Sequence, residues 1–294
     1  MSPCVSDSSR SVREAKVVRS LRENWLTSRR RVLQCWKPSS VGLSASATGR
    51  HGPFIPVRNS MNKLLKAILD DDRQKVAARL KGDAMLATRL IDEAKLYQSK
   101  IFHWIYVGDT ALQLAAAGYR VEIVKLLLAA GADANAATNH RQSGPLHYAA
   151  DGYITGPVWD AKRQVKTIEV LLKGGAKINA QDKNGAAPLH RAVRTRCAAA
   201  VGYLLDAGAD PKLKNKPGST PFHLAVQNTG RGGSGAESAR VAQRQIIEEF
   251  LARGMSTGLK DGEGKSVLDW ARSDWIRDVL LGRVKLGHSS ANAT

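Results

Sequence analysis

The chain is poor in aromatic residues and in cysteine. Aromatic side chains make up only 5% of its 294 residues, which excludes a core dominated by ring stacking and favours one built from alanine and leucine. Its three cysteines, Cys4, Cys35 and Cys197, form neither an even set nor a C-x-x-C pair, which is typical of a reducing compartment. No apolar run approaches the length of a membrane span. We therefore expect a soluble, cytoplasmic protein that does not enter a membrane.

The sequence also lacks the usual patterns of catalysis. It contains no paired carboxylates, no triad spacing and no close pairs of histidine and cysteine that could bind zinc. Cys197 and Ser234 could act as nucleophiles, but the pattern places no activating base beside either of them. We expect no enzymatic activity, no cofactor and no metal.

What the chain has in abundance is one repeated phrase. GPLHYAA at 144–150, APLHRAV at 187–193 and TPFHLAV at 220–226 are three copies, and TALQLAA at 110–116 is a fourth that lacks the proline and the histidine. The first residues of these copies are separated by 34, 43 and 33 residues, and the next equivalent position, Ser266, follows 46 residues after the last copy begins. A unit of 33 residues with insertions explains these intervals. A leucine pair, or Phe250-Leu251 in the last unit, precedes the glycine that closes each unit, and the glycines are Gly131, Gly175, Gly208 and Gly254.

A unit of 33 residues that opens with T-P-L-H-x-A resembles the ankyrin repeat. The resemblance covers about 61–281 and implies an all-α solenoid, in which helix-turn-helix units are joined by short β-hairpin fingers. Full units are expected at 109–142, 143–186, 187–219 and 220–265. Degenerate units should cap the stack at both ends. Residues 61–100 are predicted to be helices at one end, and a cap is predicted at 266–281 at the other. Since no unit can bury its apolar face alone, 61–285 should fold as one domain, followed by a disordered tail at 286–294.

Residues 1–60 differ from the rest of the chain. They hold eleven Lys and Arg against three Asp and Glu, together with twelve serines. Three interpretations remain open: a disordered basic arm, an organellar transit peptide, or a stretch that precedes the natural start at Met61. The first and the third are favoured, because Met61 directly opens the repeat-like sequence.

The repeated histidines raise the question of a metal. His147, His190 and His223 occur once per unit, whereas zinc ligands usually come in close-spaced pairs. We therefore expect each histidine to have a structural role, bonding to backbone or hydroxyl groups of the finger region.

The first candidate site lies where two insertions, 152–160 and 228–235, interrupt the second and fourth units between their helices. Stacking would bring both insertions beside the turn of the third unit. The result would be a basic patch with aromatic residues, which suits an acidic partner segment. The alternative is that both insertions are only flexible loops. The candidate residues are Tyr153, Trp159, Arg163, Arg191, Arg194, Arg196 and Arg231.

A second candidate surface is the concave face, made by the fingers and the exposed side of each first helix. Ankyrin-repeat proteins usually bind through this face. Here it would be basic, although a charged face that only keeps the protein in solution is the alternative interpretation. Its residues are Arg141, Lys183, Arg191, Lys212, Lys214 and Lys216.

Basic residues outnumber acidic ones, 45 to 26, which gives a net charge of +19. The resemblance and the charge together predict a monomeric, non-enzymatic scaffold that recognises a partner protein through an acidic segment. Binding of nucleic acid or another polyanion is the alternative, because a basic chain attracts phosphate.

Overall fold

The computed structural model describes residues 57–97, 100–101, 103–152, 159–227 and 237–283. These residues form paired helices, one short 3₁₀ helix at Ala84–Ala87 and two strands, β1 at Lys95–Tyr97 and β2 at His103–Ile105. The helices are α1 Val57–Leu69, α2 Arg73–Gly82, α3 Ala111–Ala117, α4 Val121–Ala129, α5 Pro145–Ala150, α6 Ala161–Lys173, α7 Pro188–Arg194, α8 Ala198–Asp206, α9 Pro221–Ala225, α10 Glu237–Ala252, α11 Val267–Trp270 and α12 Asp274–Leu280.

The helices stack in two layers. The first helices of successive units, α1, α3, α5, α7, α9 and α11, pack in that order, and the second helices α2, α4, α6, α8, α10 and α12 do the same. One continuous apolar core runs through both layers. The predicted all-α solenoid is confirmed, and among the described residues no helix is long and apolar enough to cross a lipid bilayer.

Local sequence explains where each helix begins and ends. Pro145, Pro188 and Pro221 occupy the first turn of α5, α7 and α9, where a missing amide hydrogen costs nothing. After each second helix the chain must reverse, and the reversal requires the left-handed backbone region that glycine adopts without strain. Gly131 and Gly208 have φ values of +88° and +92°, as the sequence predicted.

The N-terminal end differs from the prediction. Helix α1 begins at Val57, so the predicted boundary at residue 60 falls inside a helix. Residues 61–100 are not all helical: after the 3₁₀ helix the chain forms a hairpin in which Leu96 pairs with Trp104 and Tyr97 with His103. Aromatic and branched residues favour strands over helices, which explains the change. The predictions made for residues 1–56 and for 286–294 lie outside the described residues.

The C-terminal unit covers the last full one. Trp270 donates from its indole nitrogen to Asp261 Oδ2 at 2.8 Å, and its ring meets His223 edge-on at 5.5 Å. Ile276 is buried in the core, and the ring of Trp275 lies under the guanidinium of Arg240. The short helices α11 and α12 therefore close the apolar face, as expected of a cap.

Two buried glutamines donate hydrogen bonds to the first helices of the two units that carry insertions. In the uninterrupted units the backbone N–H groups of Arg120 and Cys197 donate to the carbonyls of Ala115 and Ala192, near the end of the first helix. In the second and fourth units an insertion follows the first helix at this point. In the second unit the side chain of Gln164, in α6, acts as a donor to the first helix. Its side-chain nitrogen donates to the carbonyl of Ala149 at 3.0 Å, at the equivalent position.

The fourth unit uses the same device. Gln243, in α10, donates to the carbonyls of Ala225 at 2.8 Å and Gln227 at 2.9 Å. Gln164 and Gln243 are both buried. The first helix of each interrupted unit is thus held by a side chain from its own second helix.

We expect Gln164→Ala and Gln243→Ala each to lower the free energy of unfolding by about 2 kcal/mol, because buried carbonyls lose their donor and a cavity remains. Urea denaturation measures this change. The matched control is Gln181→Ala, since Gln181 also donates to two carbonyls, those of Gly185 and Lys214, but is exposed. Water can replace it, so the control should lose less than about 1 kcal/mol. Equal losses of unfolding free energy in all three variants would contradict this role of the buried glutamines.

Candidate partner-binding surface

A buried arginine joins the second and third units. Arg191, in α7, is 4% exposed, and its guanidinium lies 3.0 Å from Asp151 Oδ2 at the end of α5. It also contacts Asp182 Oδ2 in the second finger and donates to Ser143 Oγ at 3.0 Å. This placement corrects the expectation that Arg191 belongs to a partner-binding face. Its charge is neutralised by two carboxylates inside the protein.

Electrostatics within this network favour the charged forms. Burial alone would raise the pKa of Asp151 and of Asp182, but the neighbouring cations outweigh burial and hold both pKa values below the usual range. For Asp151 the lowering comes from a hydrogen bond with His103 and from the charges of Arg191 and Arg194. Conversely, burial lowers the pKa of Arg191 less than the two carboxylates raise it. The network is therefore a compensated set of charges.

The hairpin lies with one face on the layer of first helices. Ile105 is buried, and the ring of His103 is 4.8 Å from that of Tyr148 in α5. His103 Nε2 lies 3.6 Å from Asp151 Oδ2, which ties the hairpin to the Arg191 network. The hydroxyl of Tyr148 donates to Asp109 Oδ2 at 2.7 Å. These contacts fix the position of the hairpin.

The opposite face of the hairpin is aromatic. Leu96 and Trp104 are cross-strand partners, so their side chains share this face, and Trp104 is 38% exposed. The ring of Tyr106 stacks near that of Trp104, with centroids 6.4 Å apart and planes 20° apart. We call Leu96, Trp104 and Tyr106 the aromatic end.

A line of cations continues from the aromatic end along the fingertips. The guanidinium of Arg141 lies over the ring of Tyr106, 5.5 Å from its centroid, and donates to the Tyr106 hydroxyl at 3.1 Å. The carbonyl of Arg141 accepts from the amide of Lys183, and the carbonyl of Asn184 accepts from the amide of Lys216. Neighbouring fingers are therefore in direct contact. We call Arg141, Lys183 and Lys216 the cationic row.

The members of the cationic row have no acidic partner among the described residues. Lys183 and Lys216 are exposed and Arg141 is half-buried. Lys212 and Lys214 of the predicted surface are also exposed, but Lys214 donates to the carbonyl of Asp261 at 3.2 Å. Apart from Arg191, the residues of the second candidate surface are thus accessible on the fingers.

The first candidate patch is largely engaged within the protein. Trp159 Nε1 donates to Gln164 Oε1 at 3.0 Å, and Arg196 donates to Gln243 Oε1 at 3.0 Å, so both hold the buried glutamines in place. Arg163 lies 2.7 Å from Asp71 Oδ2.

The remaining members of that patch differ in what can be said of them. Arg194 is 53% exposed and lies 3.4 Å from Asp151 Oδ1. The insertion beginning at Gly152 does meet the third unit, since the amide of Gly152 donates to Thr195 Oγ1 at 3.2 Å. Tyr153 and Arg231 lie outside the described residues.

The three unit histidines make the same pair of bonds. Their Nδ1 atoms accept from the amides of Gly144, Ala187 and Thr220, and their Nε2 atoms lie 3.0–3.2 Å from the carbonyls of Ala186, Ser219 and Lys265. Because an amide only donates and a carbonyl only accepts, the neutral ring with its proton on Nε2 satisfies both partners. Burial lowers the pKa of His147 to about 4 and also lowers the pKa values of His190 and His223. These are the finger-region bonds expected from the sequence.

Sequence reasoning missed the aromatic end entirely. Leu96 lies in the stretch 61–100 that the sequence predicted to be helical, and Trp104 and Tyr106 lie between that stretch and the first full unit at 109. One signal was available: the alternation of His103, Trp104, Ile105 and Tyr106 has the aromatic and branched character of a strand.

A stack of helix-turn-helix units with fingers defines a repeat protein, and comparison with known protein families identifies which kind. The sequence model of the ankyrin-repeat family matches residues 75–156 and 159–234, which is more than half of the chain. A putative ankyrin repeat protein of Acanthamoeba polyphaga mimivirus is 36% identical over 67 residues, or 23% of this chain. The match spans only 10% of that viral protein. The chain belongs to the ankyrin-repeat family, whose members generally mediate protein–protein interactions.

Proposed function

We propose that this chain is a non-enzymatic scaffold that recognises an acidic segment of a partner protein through the cationic row. The observation that carries the proposal is the state of Lys183 and Lys216. They occupy equivalent positions on successive fingers, are exposed, and have no carboxylate partner among the described residues. The proposal takes the chain to act as a monomer in the cytoplasm.

Fingertip positions suit this role because the fingers are rigid. Asp182 Oδ1 accepts from the amides of Asn184 and Ala186, and Asn215 Oδ1 accepts from the amide of Ser219. The backbone under each lysine is therefore fixed before a partner arrives, which lowers the entropic cost of binding. Only the lysine side chains must become ordered.

The test is a charge reversal, Lys183→Glu with Lys216→Glu, measured by fluorescence anisotropy with a labelled synthetic peptide rich in glutamate. Each reversal turns a weak attraction into a repulsion and changes the binding free energy by about 1 kcal/mol. The two together should weaken the peptide about thirtyfold.

The matched control carries the same change of net charge elsewhere, Arg73→Glu with Lys81→Glu. Both residues are exposed on α2, in the layer of second helices and away from the fingers. We expect less than a threefold change in peptide affinity from this control. Equal losses in the two double variants would show that only net charge matters and would sink the cationic row.

Nucleic-acid binding is the second candidate, favoured by the net charge of +19 and the pI near 10.1. Such binding depends on the number of phosphates neutralised and falls steeply with salt. If DNA is attracted only by net charge, a duplex DNA oligonucleotide should lose the same amount of affinity in the two double variants. If DNA binds more tightly than the peptide at physiological salt and discriminates between the two variants, this second candidate replaces the first.

A further inference from the structure

We infer that the partner segment is extended and carries an apolar side chain at one end, followed by carboxylates, with the apolar side chain seated on Leu96 and Trp104. This inference rests on the proposed function and specifies its partner. The structural basis is the continuity of two surfaces of different chemistry, the aromatic end and the cationic row.

Leu96 and Trp104, which we call the apolar seat, are held in place by the opposite face of the hairpin. Residues alternate across the hairpin, so the contacts of His103 and Ile105 with the layer of first helices turn Trp104 and Leu96 outward. A large aromatic side chain that is fixed from beneath and 38% exposed can still bury surface against a ligand. Such anchors dominate binding energy at protein interfaces.

Tyr106 and Arg141 join the seat to the cations. Tyr106 stacks near Trp104 on one side and meets the ring of His140 edge-on at 4.8 Å on the other. The guanidinium of Arg141 lies over the same tyrosine ring. A segment that leaves the apolar seat therefore reaches Arg141 first and Lys183 next.

Spacing along the row predicts the spacing of the carboxylates. Lys183 and Lys216 are separated by one repeat, which corresponds to the distance between neighbouring packed helices, about 10 Å. An extended chain rises about 3.3 Å per residue, so roughly three residues of the partner span one repeat. Carboxylates at about every third position would match the lysines.

The fingertips would recognise the partner through its side chains and not through its backbone. The amides of Lys183 and Lys216 and the carbonyls of Arg141 and Asn184 are already used between the fingers. The tips thus offer little backbone for a partner strand to pair with. The row also ends at the fourth finger, where Glu263, paired with Lys265, occupies the position equivalent to Arg141. The surface has a defined apolar end and a defined basic end.

The experiment compares two synthetic peptides with glutamate at every third position, one with a leucine near its end and one with alanine in its place. Their affinities for the full chain and for Trp104→Ala are measured by fluorescence anisotropy. Trp104→Ala should weaken the leucine peptide about tenfold and the alanine peptide less than twofold. Trp104→Phe should restore most of the affinity. Val241→Ala removes an exposed apolar side chain from α10 and should change neither affinity.

Each outcome decides between the claims. If Trp104→Ala affects both peptides equally, or neither, the apolar seat is wrong while the cationic row can still stand. If neither peptide binds the unaltered chain, the proposed function fails together with its extension. If a single-stranded DNA oligonucleotide binds and loses affinity in Trp104→Ala, Trp104 stacks on bases and the inference is overturned in favour of nucleic acid.

Discussion

Replacing Arg191 with leucine is expected to lower the free energy of unfolding by about 3–5 kcal/mol, because the change leaves two buried carboxylates without a counter-charge. Asp151 and Asp182 lose the guanidinium that neutralises them, and Ser143 loses a donor. Urea denaturation followed by circular dichroism measures the loss. Leucine itself is well tolerated at this position of the repeat, since Leu114 and Leu224 occupy it in other units.

The compensating variant separates the charge effect from a packing effect. Arg191→Leu combined with Asp151→Asn and Asp182→Asn removes both orphaned charges, and asparagine is natural at the equivalent finger positions, Asn139 and Asn215. We expect the triple variant to recover most of the lost stability. If it is as unstable as the single variant, the loss comes from packing and the electrostatic explanation is wrong.

Acidification is expected to destabilise the domain before its carboxylates begin to protonate. Unfolded histidine titrates near pH 6.5, whereas burial lowers the pKa of folded His147 to about 4. As the pH falls below 6.5, His147 binds a proton in the unfolded chain but not in the folded one. The free energy of unfolding therefore declines, and the loss is complete below pH 4. At pH 5 His147 alone should cost about 2 kcal/mol relative to pH 7. His190 and His223, whose pKa values burial also lowers, should add to the loss.

The chain provides its own control for this effect. Gln113 occupies the histidine position of the first full unit: its Oε1 accepts from the amide of Thr110 at 2.6 Å, and its Nε2 donates to the carbonyl of Ser143 at 3.1 Å. Glutamine therefore makes the same bonds without titrating. A triple variant with glutamine at 147, 190 and 223 should remain folded and show nearly constant stability between pH 7 and pH 5. An unchanged pH dependence in that variant would assign the effect to other groups.

The features that the sequence predicted correctly are those determined within one unit. The prolines that open the helices, the glycines that close them and the histidine bonds follow from the chemistry of a few adjacent residues, repeated in register. For that reason the family and the two-layer stack could be predicted from the sequence.

Some of the features that it missed depend on contacts between units. An arginine at position 191 looks exposed, because the two carboxylates that neutralise it, Asp151 and Asp182, come from the preceding unit and its finger. Arg196 resembled an interface residue for the same reason, since its partner Gln243 belongs to the next unit. Trp159 is bonded to Gln164 of its own unit, and nothing in the sequence signals that contact. The hairpin was missed because each of its strands is only three residues long.

The two buried glutamines have a consequence for engineering this protein. Because Gln164 and Gln243 donate to the carbonyls of Ala149 and Ala225, the end of each interrupted first helix is bonded to its own second helix. A replacement loop would have to keep Trp159 and Arg196, the side chains that bond these glutamines. With those two residues kept, the two junctions are natural places to graft a new recognition element.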